Sequence, residues 1–353
     1  METTHLGISG LEVSRIGLGT IPFGTVLDET ASRTIVDMFL DRGGSYLDTA
    51  NIYGGGRQGS NREMAGTAER MVGQIVQGRR DRFVVATKGA WTMDDDTKPN
   101  GFGLSRTYLT REIEASLRRL QTDYIDLYQC HVWDPYTPIE ETMRVLDDFV
   151  RAGKIRYIGV SNWDGWQVVK ANGFARYGNL TSLVSNQIWY TLADRVAEFS
   201  VIPACRDQDV SIIAWGVYAE GFLTGRYRRG ATGPRSGSRF EQIKESEMCS
   251  WQNLAVERNW NTLDVMAHIA KRHGKSIPNV AMGWLLQSGH CDVALMGASS
   301  IEQFTNSMEV LGLQLDQKEI EALTEASELS HPYPMNFWEL FCYHDSPHYG
   351  GLR

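Results

Sequence analysis

Short strand-like runs alternate with helix-like patterns eight times along this chain, and this alternation restricts its fold more than any other feature. The predicted strands cover residues 15–19, 45–49, 83–87, 124–130, 155–160, 183–187, 210–215 and 292–296. The predicted helices cover residues 29–41, 61–77, 107–120, 138–152, 164–173, 194–208, 276–288 and 301–308. Because each strand is followed by a helix, the strands are expected to be parallel. The sequence therefore predicts an α/β fold closed as a (β/α)8 TIM barrel, with an open doubly wound sheet as the alternative.

Three segments lie outside the eightfold pattern. Residues 3–14 predict an N-terminal hairpin that turns at Ile8-Ser9-Gly10. A long loop at about 216–275 follows the seventh strand and contains its own helix near 261–273. No linker, repeat or low-complexity segment divides the chain. We therefore expect residues 1–353 to form a single barrel domain, with an aromatic-rich tail at about 317–353 covering the barrel.

The segment Thr137-Pro138-Ile139-Glu140 has the pattern of a helix start. Threonine suits the N-cap position, proline suits the first helical position, and an acid suits the first turn. Gly153 is expected to end the same helix, since glycine favours the position after a helix C-terminus.

Composition excludes several classes of protein. The formal net charge of −8 argues against non-specific binding to nucleic acid. The five cysteines form no CxxC motif and favour reduced thiols, and the eight histidines contain no HExxH motif, so no metal site is predicted. The first residues lack the features of a signal peptide, and no apolar run approaches the roughly 18 residues of a membrane span. The sequence predicts a cytoplasmic protein without a nucleic-acid or membrane partner.

Four polar residues are expected to meet at one rim of the barrel. Asp48, Lys88 and His131 end the second, third and fourth predicted strands, and Tyr53 follows in the loop after the second. In such barrels chemistry takes place at the C-terminal ends of the strands. A tyrosine, with a pKa of about 10, becomes a better acid beside a lysine cation. A carboxylate can hold that lysine, and an imidazole can donate a second hydrogen bond to a substrate oxygen. Together they predict proton transfer at a carbonyl oxygen, unless each has an unrelated structural role.

Two glycine-containing segments could bind phosphate groups. Gly54-x-Gly56-x-x-Gly59 matches the pattern of a dinucleotide fingerprint, but the segment Asp48-Thr49-Ala50-Asn51-Ile52-Tyr53 intervenes and the next strand ends in Lys88 rather than an acid. It is interpreted as a flexible loop beside the pocket. Met296-Gly297-Ala298-Ser299-Ser300 follows the eighth strand and precedes a helix, where an anion or a plain serine N-cap is expected. Arg226 could supply a positive charge there from the loop after the seventh strand.

Other rim residues leave alternatives open. A glycosidase would need two carboxylates, for which Asp134 and Glu220 are candidates, but it would leave Tyr53 and Lys88 unexplained. Trp91, Trp133 and Tyr218 follow three different strands and are expected to line a substrate pocket, which would suit an aryl aldehyde or the apolar face of a sugar. Plain packing of these aromatic residues is the alternative.

Several motifs taken together resemble the aldo-keto reductase superfamily almost from end to end. They are Asp48-Thr49-Ala50 with Tyr53, Thr87-Lys88, Gln129-Cys130-His131, the run 153–162, Ser185-Asn186-Gln187, and the run 297–303. Within the superfamily, the chain is most similar to the aryl-alcohol dehydrogenase and sugar-reductase branch, which is related to potassium-channel β subunits.

The resemblance implies a barrel that binds NADP(H) without a Rossmann fold. Tyr53 would be the proton donor, assisted by Asp48, Lys88 and His131. The implied cofactor contacts are Gly19, Thr20, Asp48, Ser161, Asn162, Gln187, Trp215, Gly216, Tyr218, Arg226, Gly297, Ser299, Gln303 and Ser307. Among them, Ser161, Asn162 and Gln187 would hold the nicotinamide carboxamide, Trp215 would stack on the ring, and Gly297, Ser299 and Gln303 would hold the adenosine phosphate.

The chain departs from the family pattern at two places. Gly216-Val217-Tyr218 replaces the usual Ser-Pro-Leu after Trp215. The asparagine expected at the adenine is displaced, because Ser307 occupies its place and Asn306 lies one residue before. Both departures bear on cofactor affinity and on the preference for NADPH.

The resemblance implies reduction of an aldehyde or ketone, aryl or sugar-like, to an alcohol. The alternatives are a reductase of a nucleotide-linked deoxysugar and a regulatory cofactor-binding subunit. The expected partner is a small carbonyl substrate, and a homo-oligomer is left open.

Overall fold

Eight parallel strands close into a barrel, as predicted. The computed structural model describes residues 1–55, 62–93, 99–243 and 247–338. The strands are β1 (Thr3–His5), β2 (Glu12–Ser14), β3 (Ile16–Gly19), β4 (Tyr46–Asp48), β5 (Val84–Gly89), β6 (Ile125–Cys130), β7 (Ile155–Ser161), β8 (Leu183–Trp189), β9 (Ser211–Trp215) and β10 (Val293–Met296). Strands β3 to β10 pair in chain order, and β10 closes the ring by pairing with β3. The open doubly wound alternative is therefore wrong.

Helices surround the barrel. They are α1 (Glu29–Asp41), α2 (Thr67–Val76), α3 (Arg106–Leu120), α4 (Ile139–Arg151), α5 (Gly165–Gly178), α6 (Val201–Asp207), α7 (Trp251–Leu254), α8 (Glu257–His273), α9 (Ile277–Gln287), α10 (Ile301–Met308), α11 (Gln317–Ala326) and α12 (Met335–Trp338). None of the helices in the described ranges is long and apolar enough to cross a membrane.

Two predicted helices are interrupted. The helix predicted at 61–77 is a 3-10 turn at Arg62–Met64 followed by α2, because Gly66 between them has a left-handed φ of 80°. The helix predicted at 194–208 is a 3-10 turn at Val196–Phe199 followed by α6, because Ser200 has non-helical angles of −141° and −51°. Hydrophobic periodicity continues through both breaks, so the pattern alone does not show them.

The start of α4 differs from the sequence prediction in its cap. The hydroxyl of Thr137 donates to Asp134 Oδ2 at 2.6 Å and does not cap the helix, whose N-cap residue is Pro138. The hydroxyl thus bonds to a residue three positions earlier, in the loop before the helix, and not to the first turn of the helix. Gly153, with a φ of 72°, lies just beyond the helix end as expected.

The N-terminal hairpin closes one end of the barrel. Strands β1 and β2 are antiparallel, and Gly7 N donates to the hydroxyl of Ser211, the first residue of β9. Leu6, Leu11 and Val13 pack against interior side chains such as Tyr46. The hairpin therefore covers the N-terminal ends of the strands, which leaves the opposite rim for chemistry.

The two remaining segments pack on the outside. An aromatic cluster holds the long loop after β9, and it consists of Phe222, Tyr227, Phe240, Trp251 and Trp260. In the tail, α11 packs on α8 and α9, so this part of the tail covers the outer helices and not the barrel mouth. Tyr333, Phe337 and Trp338 are exposed. The tail residues 339–353 lie outside the described residues.

Candidate active site

The four predicted residues meet at the C-terminal rim. Asp48 ends β4, Lys88 is in β5, and His131 directly follows β6. Lys88 Nζ donates to Asp48 Oδ1 at 2.6 Å, to the Thr49 carbonyl at 2.9 Å and to the Tyr53 hydroxyl at 3.1 Å. The Tyr53 and His131 rings lie edge to face, with centroids 5.9 Å apart. The structure thus brings together residues that stand up to 83 positions apart in the sequence.

Lys88 and Asp48 form a buried ion pair. Their side chains are 0% and 2% exposed. Burial alone would lower the pKa of Lys88, but the charges of Asp48 and Tyr53 and their hydrogen bonds outweigh it, so this pKa is raised. The other carboxylate oxygen of Asp48 accepts hydrogen bonds from Gln187 at 2.7 Å and Gln129 at 3.4 Å. Lys88 therefore stays protonated beside the phenol of Tyr53.

His131 is a neutral imidazole in this setting. Burial and the charge of Lys88 hold its pKa well below the usual value. Its Nδ1 atom is buried and has no hydrogen-bond partner among the described residues. A neutral imidazole carries one N–H donor, so His131 can hold a substrate oxygen without bringing a second cation to the rim.

The residues predicted to hold a carboxamide lie beside these four. Ser161 ends β7, and its hydroxyl donates to the Gln187 carbonyl at 2.9 Å. The exposed side chain of Asn162 donates to Ser161 Oγ at 2.9 Å and to the His131 carbonyl at 3.2 Å. The Trp215 indole donates to Asn162 Oδ1 at 3.0 Å. Asn162, with a left-handed φ of 57°, therefore links three strand ends of the rim.

Four more predicted cofactor residues lie at neighbouring strand ends. Thr20, directly after Gly19, donates to the Asp48 carbonyl through both its backbone N–H and its hydroxyl. Gly216 has a φ of 74°, and a Cβ there would lie 2.2 Å from the Trp189 ring, so both backbone angle and space require glycine. Burial raises the pKa of Tyr218 to about 12, with Ser307 next to its hydroxyl lowering it slightly.

The N-terminus of α10 carries the predicted phosphate segment. The Ser300 hydroxyl accepts from Gln303 N at 3.1 Å, so Ser300 is a helix N-cap. Ser299 donates to the Gln303 side chain through its backbone N–H and its hydroxyl. Gly297, Ser299, Gln303 and Arg226 are exposed. The serine N-cap interpretation is thus confirmed, and the same exposed helix end remains suited to an anion.

The three predicted pocket residues have different neighbours. The Trp91 ring stands edge-on to His131, with centroids 6.3 Å apart, and also to Phe102, at 5.9 Å. Trp133 instead makes its ring contacts with Trp163 at 4.9 Å and with Trp166. Trp91 thus lies next to the four rim residues, whereas Trp133 packs toward α5. Phe102 was missed because the irregular loop that carries it has no periodicity to reveal its contact with Trp91.

Asp134 does not have the environment of a glycosidase acid. Burial raises its pKa, but hydrogen bonds from the Thr137 hydroxyl and from the backbone N–H groups of Leu104 and Tyr136 outweigh burial, so the pKa is lowered. A carboxylate held in this way stays ionised and anchors two loops. It cannot act as a general acid near neutral pH.

The rim residues fit a nicotinamide dinucleotide. The exposed amide of Asn162 and the half-buried indole of Trp215 suit a carboxamide-bearing ring, and the exposed end of α10 suits a phosphate. In the segment interpreted as a loop beside the pocket, Gly54 has a left-handed φ of 99°, and residues 56–61 lie outside the described residues. No group of three or more potential metal ligands is present in the described ranges.

Comparison with known proteins assigns the family. The Aldo/keto reductase family matches residues 15–328. An oxidoreductase of Bacillus subtilis named YrpG is 36% identical over 92% of this chain and 95% of the relative. The norsolorinic acid reductase of Aspergillus flavus is 32% identical over 93% of this chain and 81% of the relative. The NADP(+) aryl-alcohol dehydrogenase of Phanerodontia chrysosporium is 30% identical over 92% of this chain and 85% of the relative. Fold and rim are those of a barrel oxidoreductase. The chain belongs to the Aldo/keto reductase family.

Proposed function

We propose that this enzyme reduces the carbonyl group of an aromatic aldehyde or ketone with NADP(H), and that Tyr53 is the proton donor. One observation carries the proposal. The Tyr53 hydroxyl lies 3.1 Å from a lysine that is buried, paired with Asp48 and next to a neutral imidazole.

The bound cofactor supplies a hydride to the carbonyl carbon. Tyr53 gives its phenolic proton to the oxygen that becomes the alcohol. Lys88 stabilises the phenolate that remains, since a cation at hydrogen-bond distance favours the ionised phenol. Asp48 holds Lys88 in place, and His131 donates a hydrogen bond that orients the carbonyl oxygen.

Several residues support NADP(H) as the cofactor. Ser161, Asn162 and Gln187 are grouped where they can hold a nicotinamide carboxamide, and Trp215 can stack on the ring. Ser299 and Gln303 at the start of α10, with Arg226, offer donors and a positive charge for the adenosine phosphate. One relative is named for its use of NADP(+).

An aromatic substrate is favoured over a sugar. Trp91 and Phe102 form an apolar wall that begins beside His131, and Phe102 is 45% exposed. Two relatives are named for an aryl alcohol and for norsolorinic acid. Turnover of aryl aldehydes and aryl ketones should exceed that of keto sugars and nucleotide-linked deoxysugars when NADPH oxidation is followed by absorbance. The reverse order would contradict the aromatic assignment.

The substitution Tyr53→Phe tests the role of the phenol. It should lower turnover by about 10²- to 10⁴-fold, the usual contribution of general acid catalysis. The dissociation constant of NADPH, measured by fluorescence titration, should stay nearly unchanged because the proposed cofactor contacts lie on other strands. Tyr136→Phe is the matched control, since Tyr136 is 91% exposed. A Tyr53→Phe enzyme that keeps more than about a tenth of wild-type turnover would show that another group donates the proton.

A further inference from the structure

A second buried ion pair lies behind Lys88, on the outer side of β5. Side chains alternate along a strand, so Lys88 faces the barrel interior while Thr87 faces the surrounding helices. The Thr87 hydroxyl donates to Glu69 Oε1 on α2 at 2.5 Å, and Arg119 Nε on α3 donates to Glu69 Oε2 at 2.5 Å. Glu69 and Thr87 are fully buried, and the Arg119 side chain is 15% exposed.

The same cluster also reaches the loop that carries Tyr53. Arg119 lies 3.7 Å from Glu112, and Glu112 accepts a hydrogen bond from Asn51 Nδ2 at 3.3 Å. The backbone N–H of Asn51 donates to the Lys88 carbonyl at 3.0 Å. Asn51 is two residues before Tyr53. The outer cluster is therefore bonded to the strand of Lys88 and to the loop of Tyr53.

Apolar side chains could pack a strand against two helices without burying charge. Replacing a buried ion pair by well-packed apolar residues is often neutral or stabilising, so stability alone does not account for this cluster. Its hydrogen bonds are directional, and they attach to the residue before Lys88 and to the residue that contacts its carbonyl. Both places adjoin the site, since one is next to Lys88 and the other is two residues before Tyr53.

We propose that Glu69 is a positioning residue: by holding Thr87 it keeps Lys88 Nζ within hydrogen-bond distance of Tyr53. The inference rests on the proposed function of Tyr53 and Lys88. The two can still fail separately, because ionisation of the Tyr53 phenol can be measured without turnover.

The substitution Glu69→Gln keeps the shape of the side chain and removes its charge. We expect kcat to fall at least about tenfold, since small displacements of a reacting group lower the reaction rate strongly. The KM of the carbonyl substrate and the affinity for NADPH should stay within about twofold, because Glu69 contacts neither site. The alkaline limb of the kcat profile should move to higher pH, because the phenol loses part of its stabilisation by the lysine.

The hydroxyl of Thr87 allows a conservative comparison. Thr87→Ser keeps a donor to Glu69 and should retain the wild-type pH profile. Thr87→Val keeps the volume of the side chain but removes the donor, so it should move the alkaline limb of the kcat profile to higher pH, as Glu69→Gln does. This pair also tests the proposal if Glu69→Gln does not fold. Equal kcat and equal alkaline limbs for Thr87→Ser and Thr87→Val would overturn it.

Glu319→Gln is the matched control for buried charge. Glu319 is 4% exposed and pairs with Arg272 and His273, on a helix that packs on outer helices. It should lower the free energy of unfolding without changing kcat or its pH profile. If Glu69→Gln behaves in the same way, Glu69 is only structural and the proposal is wrong.

A spectroscopic readout separates this inference from the proposed function. The ultraviolet titration of the Tyr53 phenolate is obtained as the difference between proteins with and without Tyr53→Phe. It should shift to higher pH in the Glu69→Gln background. A shift in an enzyme whose turnover does not need Tyr53 would contradict the proposed function alone. An unshifted titration would contradict the positioning role alone.

Discussion

Lys88 is fully buried and nevertheless keeps its charge, because its surroundings replace the water it has lost. Removing an ammonium from water costs several kcal/mol even after the protein relaxes. Asp48 at 2.6 Å, the Thr49 carbonyl and the Tyr53 hydroxyl take up its three N–H donors. At the residue scale, the site depends on this single compensated charge.

Removing the compensating carboxylate should therefore be strongly destabilising. Asp48→Asn leaves a buried cation without its counter-ion, and the free energy of unfolding in urea should fall by roughly 3–5 kcal/mol. Asp148→Asn is the control, since the Asp148 and Arg106 side chains are 58% and 50% exposed. An exposed pair of this kind contributes about 0–1 kcal/mol. Similar losses for both variants would show that burial does not govern the Asp48 pair.

His131 should have no protonation step in the neutral pH range. Its pKa in the folded protein lies well below the value of about 6.5 expected for an unfolded chain. The imidazole thus stays neutral as pH falls through 6.5, and its contribution to stability, complete above that pH, is lost on further acidification. The kcat of wild type between pH 6 and 8 should show no inflection from this group. An inflection near pH 6.5 that disappears in His131→Gln would contradict a neutral imidazole.

At the scale of elements, neighbouring strands each bring one polar side chain to the same rim. The strands β4, β5, β6 and β7 carry Asp48, Lys88, His131 and Ser161 to one rim. The loop after β9 begins at Gly216 and continues through a 3-10 turn at Ala219–Thr224. Arg226 follows this turn and is exposed. The loop can therefore present a positive charge to a ligand without breaking any packing.

Arg226→Ala should weaken the binding of NADPH more than the binding of NADH. A guanidinium interacts more strongly with a 2′-phosphate than with a ribose hydroxyl, and Arg226 is free to approach one from solvent. Dissociation constants for both cofactors would come from fluorescence titration. Arg228→Ala, an exposed arginine two residues further along the same loop, is the control. An equal loss for both cofactors in Arg226→Ala would mean that Arg226 does not contact the 2′-phosphate.

At the scale of the whole molecule, the hairpin covers one end of the barrel, and the described part of the tail packs on the outer helices. The hairpin β1–β2 seals the N-terminal end with the apolar side chains of Leu6, Leu11 and Val13. The tail is attached to the outside: Arg195, in the loop after β8, donates to the Thr324 carbonyl and to the Ser327 hydroxyl at the end of α11. Beyond that attachment, the ring of His331 packs edge to face against the ring of Phe199.

Truncation after Ser330 separates these two parts of the tail. It keeps α11 and the contacts of Arg195, so the melting temperature should change little. It removes a strongly aromatic segment in which Tyr333, Phe337 and Trp338 are exposed. Clustered exposed aromatic side chains commonly mark a binding surface. We expect the KM of carbonyl substrates to rise or the substrate preference to change, with NADPH affinity falling by less than about tenfold. Unchanged kinetics across a substrate panel would show that the segment has no part in substrate binding.

The sequence alone was enough to predict the barrel and the meeting of Tyr53 with the three strand-end residues. Strand and helix periodicities are local properties, and closing eight parallel strands brings their C-terminal ends to one rim whatever the side chains are. Helices α1 and α10 coincide with their predictions at both ends for the same reason, since a local cap marks the start of each.

Only the tertiary structure decided how the site is held and charged. The contact of Phe102 with Trp91 and the bond from Thr87 to Glu69 join residues that local pattern cannot relate. The break at Ser200 and the bond from Thr137 to Asp134 are local, but hydrophobic periodicity does not reveal them. The direction of the His131 pKa likewise depends on burial and on a cation delivered by another strand. Desolvation and long-range hydrogen bonds exist only after the chain has closed, so the sequence predicts which groups meet and the fold decides what state they are in.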